Sequence, residues 1–270
     1  MVKKDQRKIA FFDIDGTLTS EVDRSIPERT KKGIQEARAN GHLMFINTGR
    51  CFQNVEARFR DIGFDGYICG CGTNIYCDNQ EILAITQSHE TMMEILNIAK
   101  LTGVDLLFES KMHVCFDLSR PLKDPQAIRM YQAFLRRGYE MPTNLEDPTF
   151  VSDKFVIWFQ DPVQLEAFRK VSDRCFDCID RGGNFREFVP TGYSKATGIQ
   201  RVLDYYQLPL ENAYAFGDSN NDLPMLQYVP NSIAMGNSSP TSLFDLVSYV
   251  TDNASQDGIW NALLHFDFIK

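Results

Sequence analysis

The apolar run Ile9-Ala10-Phe11-Phe12 closes abruptly on Asp13-Ile14-Asp15-Gly16-Thr17-Leu18. An unbroken apolar run of this length reads as a strand buried on both faces, which belongs in a parallel sheet covered by helices. The strand is expected to run from Arg7 to Asp13 and to end in two carboxylates one residue apart. Carboxylates that close repel each other unless a cation or a shared proton offsets the repulsion. Something bound at the end of this strand is therefore expected.

Apolar runs alternate with helical patterns in the flanking segments, which reads as α/β with a largely parallel sheet. Helices are expected over Pro27–Ala39, Cys51–Ile62, Ser194–Tyr206 and Asp222–Tyr228. Strands are expected at Leu43–Asn47, Tyr67–Cys69, Ala213–Phe216 and Ser232–Met235. Pro27 suits a first turn, Asn40-Gly41 a helix end, and Ser194 an N-cap. From Gln87 to Gly183 the order changes: helix Glu90–Leu101, strands Asp105–Glu109 and His113–Leu118, helix Pro125–Arg137, strand Lys154–Gln160, helix Pro162–Arg174 and strand Cys178–Arg181. Asp124-Pro125 and Asp161-Pro162 are N-cap/N1 pairs. The reading is one α/β domain, 1–84 and 186–270, carrying a second α/β unit, 85–185, inserted within it.

The 270 residues suffice for two domains. A net charge of −8 argues against a nucleic-acid surface and requires any anionic substrate to meet locally supplied positive charge. No stretch approaches the ~20 apolar residues of a membrane span, and MVKKDQRKIAFF shows no signal peptide. Seven cysteines without a disulfide rhythm read as free thiols in a reducing cytosol, so a cytoplasmic location is expected. Cys69, Cys71 and Cys77 lack the second pair that a zinc site would need.

Ligands of open α/β sheets bind beyond the carboxyl ends of the strands. Polar residues gather there at Asp13/Asp15, Asn47-Thr48-Gly49-Arg50 and Gly217-Asp218-Ser219-Asn220-Asn221-Asp222, with Ser194-Lys195 at a helix start. Carboxylates with water suit Mg²⁺. A divalent ion, a lysine and helix-start N–H groups suit a phosphate. One carboxylate can then attack phosphorus, and a second can protonate the leaving oxygen and later deprotonate water. Gly16 lets the chain turn tightly above the site, and the Thr17 hydroxyl can pin that turn.

In these motifs the sequence resembles the haloacid dehalogenase superfamily of phosphatases, and within it the Cof-like branch with an inserted α/β cap. The resemblance rests on Asp13-Ile14-Asp15-Gly16-Thr17, on Thr48 in Asn47-Thr48-Gly49-Arg50, on Lys195 in Gly192-Tyr193-Ser194-Lys195 and on Gly217-Asp218-Ser219-Asn220-Asn221-Asp222. The tail Ala234-Met235-Gly236-Asn237, Tyr249-Val250-Thr251 and Asp257-Gly258-Ile259 also fits, with Ser238-Ser239 where an alanine is expected. The resemblance implies a Rossmann-like three-layer core with a central parallel sheet. It also implies a Mg²⁺-dependent phosphatase of small-molecule phosphate monoesters. Asp13 would be the nucleophile and Asp15 the general acid/base. Asp13, Asp15 through its carbonyl, Asp218 and Asp222 would serve the metal, Asp222 directly or through water. Thr48, Gly49 and Lys195 would bind phosphate, and Asn221 would touch the phosphate or orient Asp13. Arg50 is a candidate substrate contact or a salt bridge. The inserted unit is expected to close over the site and select the leaving group, with Lys111, His113 and Arg181 as candidates. Relatives as a group act on sugar phosphates, nucleotides, flavin mononucleotide and pyridoxal phosphate, which leaves the substrate open, as it does the oligomeric state.

Three other readings compete. A phosphosugar mutase shares the nucleophile, but the mutases compared carry a glycine-rich second motif in place of Asn47-Thr48-Gly49-Arg50. A non-catalytic phosphometabolite-binding module would be expected to have lost a charged site residue. Cys175 and Arg181 have the C-x5-R spacing of cysteine phosphatases, but the two carboxylates between them would repel phosphate.

Overall fold

The computed structural model describes residues 6–270. The opening MVKKD, part of the stretch read as free of a signal peptide, lies outside them. The chain forms two compact units. The first comprises the chain up to Arg50, Asn54–Leu83 and Tyr193–Lys270; the second comprises Cys51–Gln53 and Ala84–Gly192.

In the first unit the strands are β1 (Ile9–Phe12), β2 (Leu43–Asn47), β3 (Gly66–Cys69), β4 (Asn74–Cys77) and β5 (Gln80–Ala84). The second unit supplies β6 (Asp105–Glu109), β7 (Val114–Phe116), β8 (Lys154–Trp158), β9 (Phe176–Asp180) and β10 (Phe185–Pro190). The chain then returns for β11 (Ala213–Ser219), β12 (Asn231–Ser239) and β13 (Tyr249–Val250). Among the described residues the first sheet has the order β13-β12-β11-β1-β2-β3-β4-β5. The pairs from β13 to β3 are parallel, whereas β3 and β4 are antiparallel. The sheet is thus mixed at one edge. Asp78 and Asn79 between β4 and β5 both have positive φ, the requirement of a type I′ hairpin turn.

Both faces of this sheet are covered. Ile9, Phe11, Leu43, Phe45 and Ala215 pack with Ile199, Val202 and Leu203 of helix α6 (Lys195–Tyr206, numbered after α1 to α5 below). The alternate residues Ala10, Phe12, Met44, Ile46 and Phe216 are fully buried on the other face, where the Phe12 and Phe216 rings stack at 4.6 Å. That double burial is why β1 reads as a continuous apolar run.

Helices α1 (Glu28–Ala39) and α2 (Ala57–Arg60) follow β1 and β2. The helix expected over Cys51–Ile62 is broken. Phe52–Asn54 forms a 3₁₀ turn, and Glu56 is extended at ψ 152° before α2. Tertiary demands override propensity here: Arg50 Nη1 bonds both the Asn54 carbonyl and the Glu56 carboxylate. Helices α7 (Leu223–Tyr228) and α8 (Gly258–His265) complete the first unit.

The second unit is an antiparallel sheet, β7-β6-β8-β10-β9, with α3 (His89–Thr102), α4 (Pro125–Arg136) and α5 (Pro162–Ser172). Asp124 and Asp161 cap α4 and α5 as expected, accepting from Gln126 N–H and Gln164 N–H. Phe185–Pro190 pairs with both β8 and β9, so this unit extends to Gly192 instead of stopping at residue 185. On this sheet Lys154 is fully buried between Glu109 and Glu187, with Glu187 Oε1 at 2.7 Å. Removing one partner of such a group would strand a buried charge.

His42, buried just before β2, accepts from Lys8 N–H at 3.2 Å and meets the Phe268 ring edge-on. Burial, then the Lys8 and Arg7 charges, push its pKa from 6.5 down to about 4. Between those values the unfolded chain holds a proton that the folded chain does not. The stability that neutral His42 contributes is therefore complete above pH 6.5 and lost as pH falls to about 4. In denaturant titrations the stability difference between wild type and His42→Gln should shrink across that window. An unchanged difference would contradict the assignment.

Candidate active site

Strand β1 lies between β11 and β2, and the connections leave it in opposite directions. Its carboxyl end is the switch point where open α/β sheets bind ligands. Asp13 leaves the strand there, with its N–H donating to the Phe216 carbonyl at 3.1 Å. Next door β11 runs on through Gly217, Asp218 and Ser219, beyond its expected end at Phe216, and its register with β12 shifts between Gly217 and Ser219. Such an irregularity re-aims a side chain, in this case Asp218. Lys195 opens α6, whose N-cap Ser194 makes a reciprocal capping box with Thr197.

These elements bring four predicted residues together. Lys195 Nζ lies 2.6 Å from Asp13 Oδ1 and 2.5 Å from Asp222 Oδ1. Lysine and both carboxylates are buried, Asp222 completely. Carboxylate oxygens of Asp13, Asp218 and Asp222 lie within 4.8 Å of one another, the one such cluster of metal-capable side chains among the described residues. Three carboxylates against one ammonium leave negative charge in excess. Burial first, then the Asp222 and Asp13 charges, raise the pKa of Asp218 well above the carboxylate range. Burial likewise raises that of Asp13, against the pull of Lys195. For Lys195, burial opposes the charge, but Asp13 and Asp222 outweigh it and the pKa rises.

Asp222 differs from the other two acids. Its Oδ2 accepts from the Asp218 and Ser219 N–H groups at 2.9 and 3.2 Å, and its Oδ1 holds Lys195. Both oxygens are engaged in shaping the loop and placing the lysine. A Cβ at Gly217 would sit 2.5 Å from Asp222 Cβ, so a side chain there would push the acid away. Asp13 and Asp218 have more to offer a hard cation. Lys195 engages Oδ1 of Asp13, and Asp218 Oδ1 accepts the Thr17 hydroxyl at 3.3 Å. Oxygen donors, excess negative charge and raised carboxylate pKa values together suit a divalent ion.

Asp15 stands apart. Its side chain is 53% exposed and forms a bidentate pair with Arg50, Nη2–Oδ1 2.7 Å and Nε–Oδ2 3.0 Å. The Arg50 guanidinium also reaches Glu56 at 3.4 Å and lies over the Phe59 ring. Of the two roles read for Arg50, the structure has the salt bridge. Thr48 Oγ1 accepts from the Arg50 N–H at 3.2 Å, which leaves the hydroxyl proton for another acceptor, and half-buried Gly49 lies between them. Asn221 Oδ1 accepts from Ser219 Oγ, and no hydrogen bond joins it to Asp13 among the described residues. In the second unit Arg181 pairs with Glu187 at 3.6 Å, and His113 is exposed. Between Cys175 and Arg181 the chain is strand β9, so C-x5-R forms no phosphate-binding loop.

Two residues stood in the sequence motifs without an assigned role. Asn47 Nδ2 donates to the Lys195 carbonyl at 3.1 Å, fixing the start of α6 from below. Asn237 Nδ2 donates to the Gly16 carbonyl at 2.8 Å. The signal available was an amide at the end of an apolar run in each case.

A family model described as haloacid dehalogenase-like hydrolase matches residues 10–263, and the chain belongs to that family. It is 28% identical to YkrA of Bacillus subtilis over 267 residues, 97% of this chain and 99% of that one. With the 5-amino-6-(5-phospho-D-ribitylamino)uracil phosphatase YitU of the same organism it shares 24% over 261 residues, covering 92% and 93%. The solved structure of the subclass IIB sugar phosphatase BT4131 superimposes with a TM-score of 0.81 at 25% identity, covering 97% of this chain and all of that one. The chain is a phosphoric monoester hydrolase of the haloacid dehalogenase type, a subclass IIB phosphatase of small phosphate esters with an inserted cap.

Gly16 has φ +81°, and a Cβ there would lie 2.3 Å from Asp218 Oδ2. Gly16→Ala should therefore displace Asp218 and lower phosphatase kcat/KM by about 10–100-fold, the usual effect of disturbing a metal site's supports. Wild-type kcat/KM in that variant would contradict the packing described.

Proposed function

We propose that the chain hydrolyses small phosphate monoesters in two steps through a phosphorylated Asp13, with Mg²⁺ as cofactor. The observation that carries this reading is the convergence of buried Asp13 and Lys195 with half-buried Asp218 at the end of β1.

Asp13 attacks phosphorus through one carboxylate oxygen as the ester P–O bond breaks. Asp15 gives its proton to the departing alkoxide oxygen. It then takes a proton from the water that attacks phosphorus of the acyl-phosphate, which releases phosphate and regenerates Asp13. Lys195 neutralises charge on the transferring group, with the Thr48 hydroxyl as a further donor. Asp13, Asp218 and the Asp15 carbonyl would hold Mg²⁺, whose charge offsets the repulsion between an anionic nucleophile and an anionic phosphoryl group. Asp222 is assigned to holding Lys195 and the Asp218–Ser219 backbone, as its two engaged oxygens favour.

Arg50 fixes the carboxyl of Asp15 in one place until substrate arrives. A guanidinium in a fork-shaped pair is not replaceable by an ammonium. The names of YitU and BT4131 support a phosphorylated sugar or sugar-like alcohol as substrate. Seven cysteines spaced without a disulfide rhythm support a cytoplasmic location. Among the described residues no helix is long and apolar enough to cross a membrane.

Hydrolysis of p-nitrophenyl phosphate should require Mg²⁺, stop with EDTA, and fall about a thousandfold or more in Asp13→Asn, the scale seen for lost nucleophiles. Wild-type turnover by Asp13→Asn would dispose of the assignment. Arg50→Met should lower kcat/KM about tenfold or more for an alkyl phosphate, from misplacement of the acid. With p-nitrophenyl phosphate, whose leaving group needs no proton, the loss should be smaller. Equal losses on both esters would show that Arg50 does not act through Asp15.

A further inference from the structure

The turn that carries Asp15 is short and tightly bent, and one side chain from a distant segment holds it. Thr19 N–H closes the turn on the Ile14 carbonyl at 3.0 Å, and Gly16 N–H donates to Thr19 Oγ1 at 3.2 Å. The Gly16 carbonyl is held from outside by Asn237, on the last part of β12. At its other end the same amide accepts from the Ala254 N–H at 2.8 Å. A carbonyl can only accept and an N–H can only donate, so both ends of the amide are specified, and only an asparagine-like group satisfies both partners. The segment behind it is also fixed: Gly236 N–H donates to the Asp252 carbonyl at 3.1 Å, and a Cβ on Gly236 would sit 2.6 Å from Asn253 Oδ1.

This anchor matters because of what Gly16 faces. Its Cα packs against the Asp218 carboxylate so closely that a methyl group would not fit. Moving the Gly16 peptide therefore changes the separation between the Asp13–Asp15 turn and Asp218. Thr17, the next residue, hydrogen-bonds Asp218 directly. A displacement at Gly16 is thus transmitted to Asp218 through two contacts.

We infer that Asn237 is a positioning residue for the divalent-cation site, setting the spacing between the Asp13–Asp15 turn and Asp218 by clamping the Gly16 carbonyl to the Ala254 backbone. The inference rests on the metal reading proposed above. Asn237 touches neither the metal-capable oxygens nor a reacting atom and acts through Gly16. Supports of this kind typically change metal affinity by about 10–100-fold.

The test is Mg²⁺ titration calorimetry of the metal-free full chain, with melting temperature recorded for every variant. Asn237→Ala removes the clamp. Asn237→Asp keeps its shape but sets an oxygen against the Gly16 carbonyl. Ala254→Pro removes the N–H at the far end; the preceding Asn253, at φ −59° and ψ 154°, already has the backbone that a following proline requires. Each should weaken Mg²⁺ binding by about tenfold or more. Glu21→Gln is the control: Glu21 ties down the same C-terminal segment through Ser255 N–H at 3.1 Å without touching the turn, and its Mg²⁺ affinity should match wild type. Should the Asn237 variants not fold, Ala254→Pro carries the test. Wild-type affinity in the folded clamp variants, or equal weakening in Glu21→Gln, would overturn the inference. Asp218→Asn separates the two levels. If it binds Mg²⁺ as wild type does, the metal reading itself fails. If it loses binding while the clamp variants keep theirs, only the role of Asn237 falls.

Discussion

Buried Lys195 bridging buried Asp13 and Asp222 is the interaction on which the rest of the active site depends. A buried lysine is tolerable only when paired, and a buried acidic cluster only when something positive sits within it. Each therefore requires the other, and their geometry follows from the fold. β1 delivers Asp13 and β11 delivers Asp218, two parallel strands in direct register with Phe12 opposite Phe216. Helix α6 delivers Lys195 from its first residue, held by its own cap and by Asn47 from the sheet. Lys195 offsets only part of the acidic charge. The remainder is what a divalent cation would answer, and the cation and the lysine together would then attract an anionic phosphoryl group.

The two aspartates that follow β1 have one residue between them but occupy different environments. Asp13 is buried beside a lysine, which suits an atom that must stay ionised and attack. Asp15, beyond a residue that turns the chain, is largely exposed and gripped by Arg50. Separate surroundings would let two identical side chains take the proposed parts of nucleophile and proton carrier. Gly16, directly after Asp15, lets the turn pass against Asp218, since no side chain could occupy its place there.

Much of this was legible because the chemistry sits where apolar runs stop. Asp13, Thr48 and Asp218 each interrupt a hydrophobic pattern at a strand end, and Lys195 follows a serine cap. Contacts between distant segments were not legible. Arg50 reads equally as a substrate contact or a salt bridge until Asp15 is seen beside it. Asp222 reads as a support of the metal site, direct or through water, and its bonds to Lys195 and to the Asp218 and Ser219 backbone are contacts that the sequence did not display. The stretch Cys51–Ile62 has helical composition, yet Arg50 draws its backbone out of helix. The inserted unit reads as ending at residue 185, whereas Phe185–Pro190 turns back beside β9 as a further strand of that unit. The β4–β5 hairpin did carry a sequence signal, Asp78-Asn79, in the positive-φ residues that its turn needs.

The claim most worth testing is that Asp13 becomes phosphorylated. Asp15→Asn with p-nitrophenyl phosphate and Mg²⁺ should form the acyl-phosphate and then stall, because the leaving group needs no acid while the attacking water needs a base. Acid quenching and borohydride reduction would convert an acyl-phosphate to homoserine, which peptide mass spectrometry would find at position 13. Homoserine at that position is the result this account predicts. Release of p-nitrophenol with Asp13 unmodified, or reduction at another carboxylate, would contradict it.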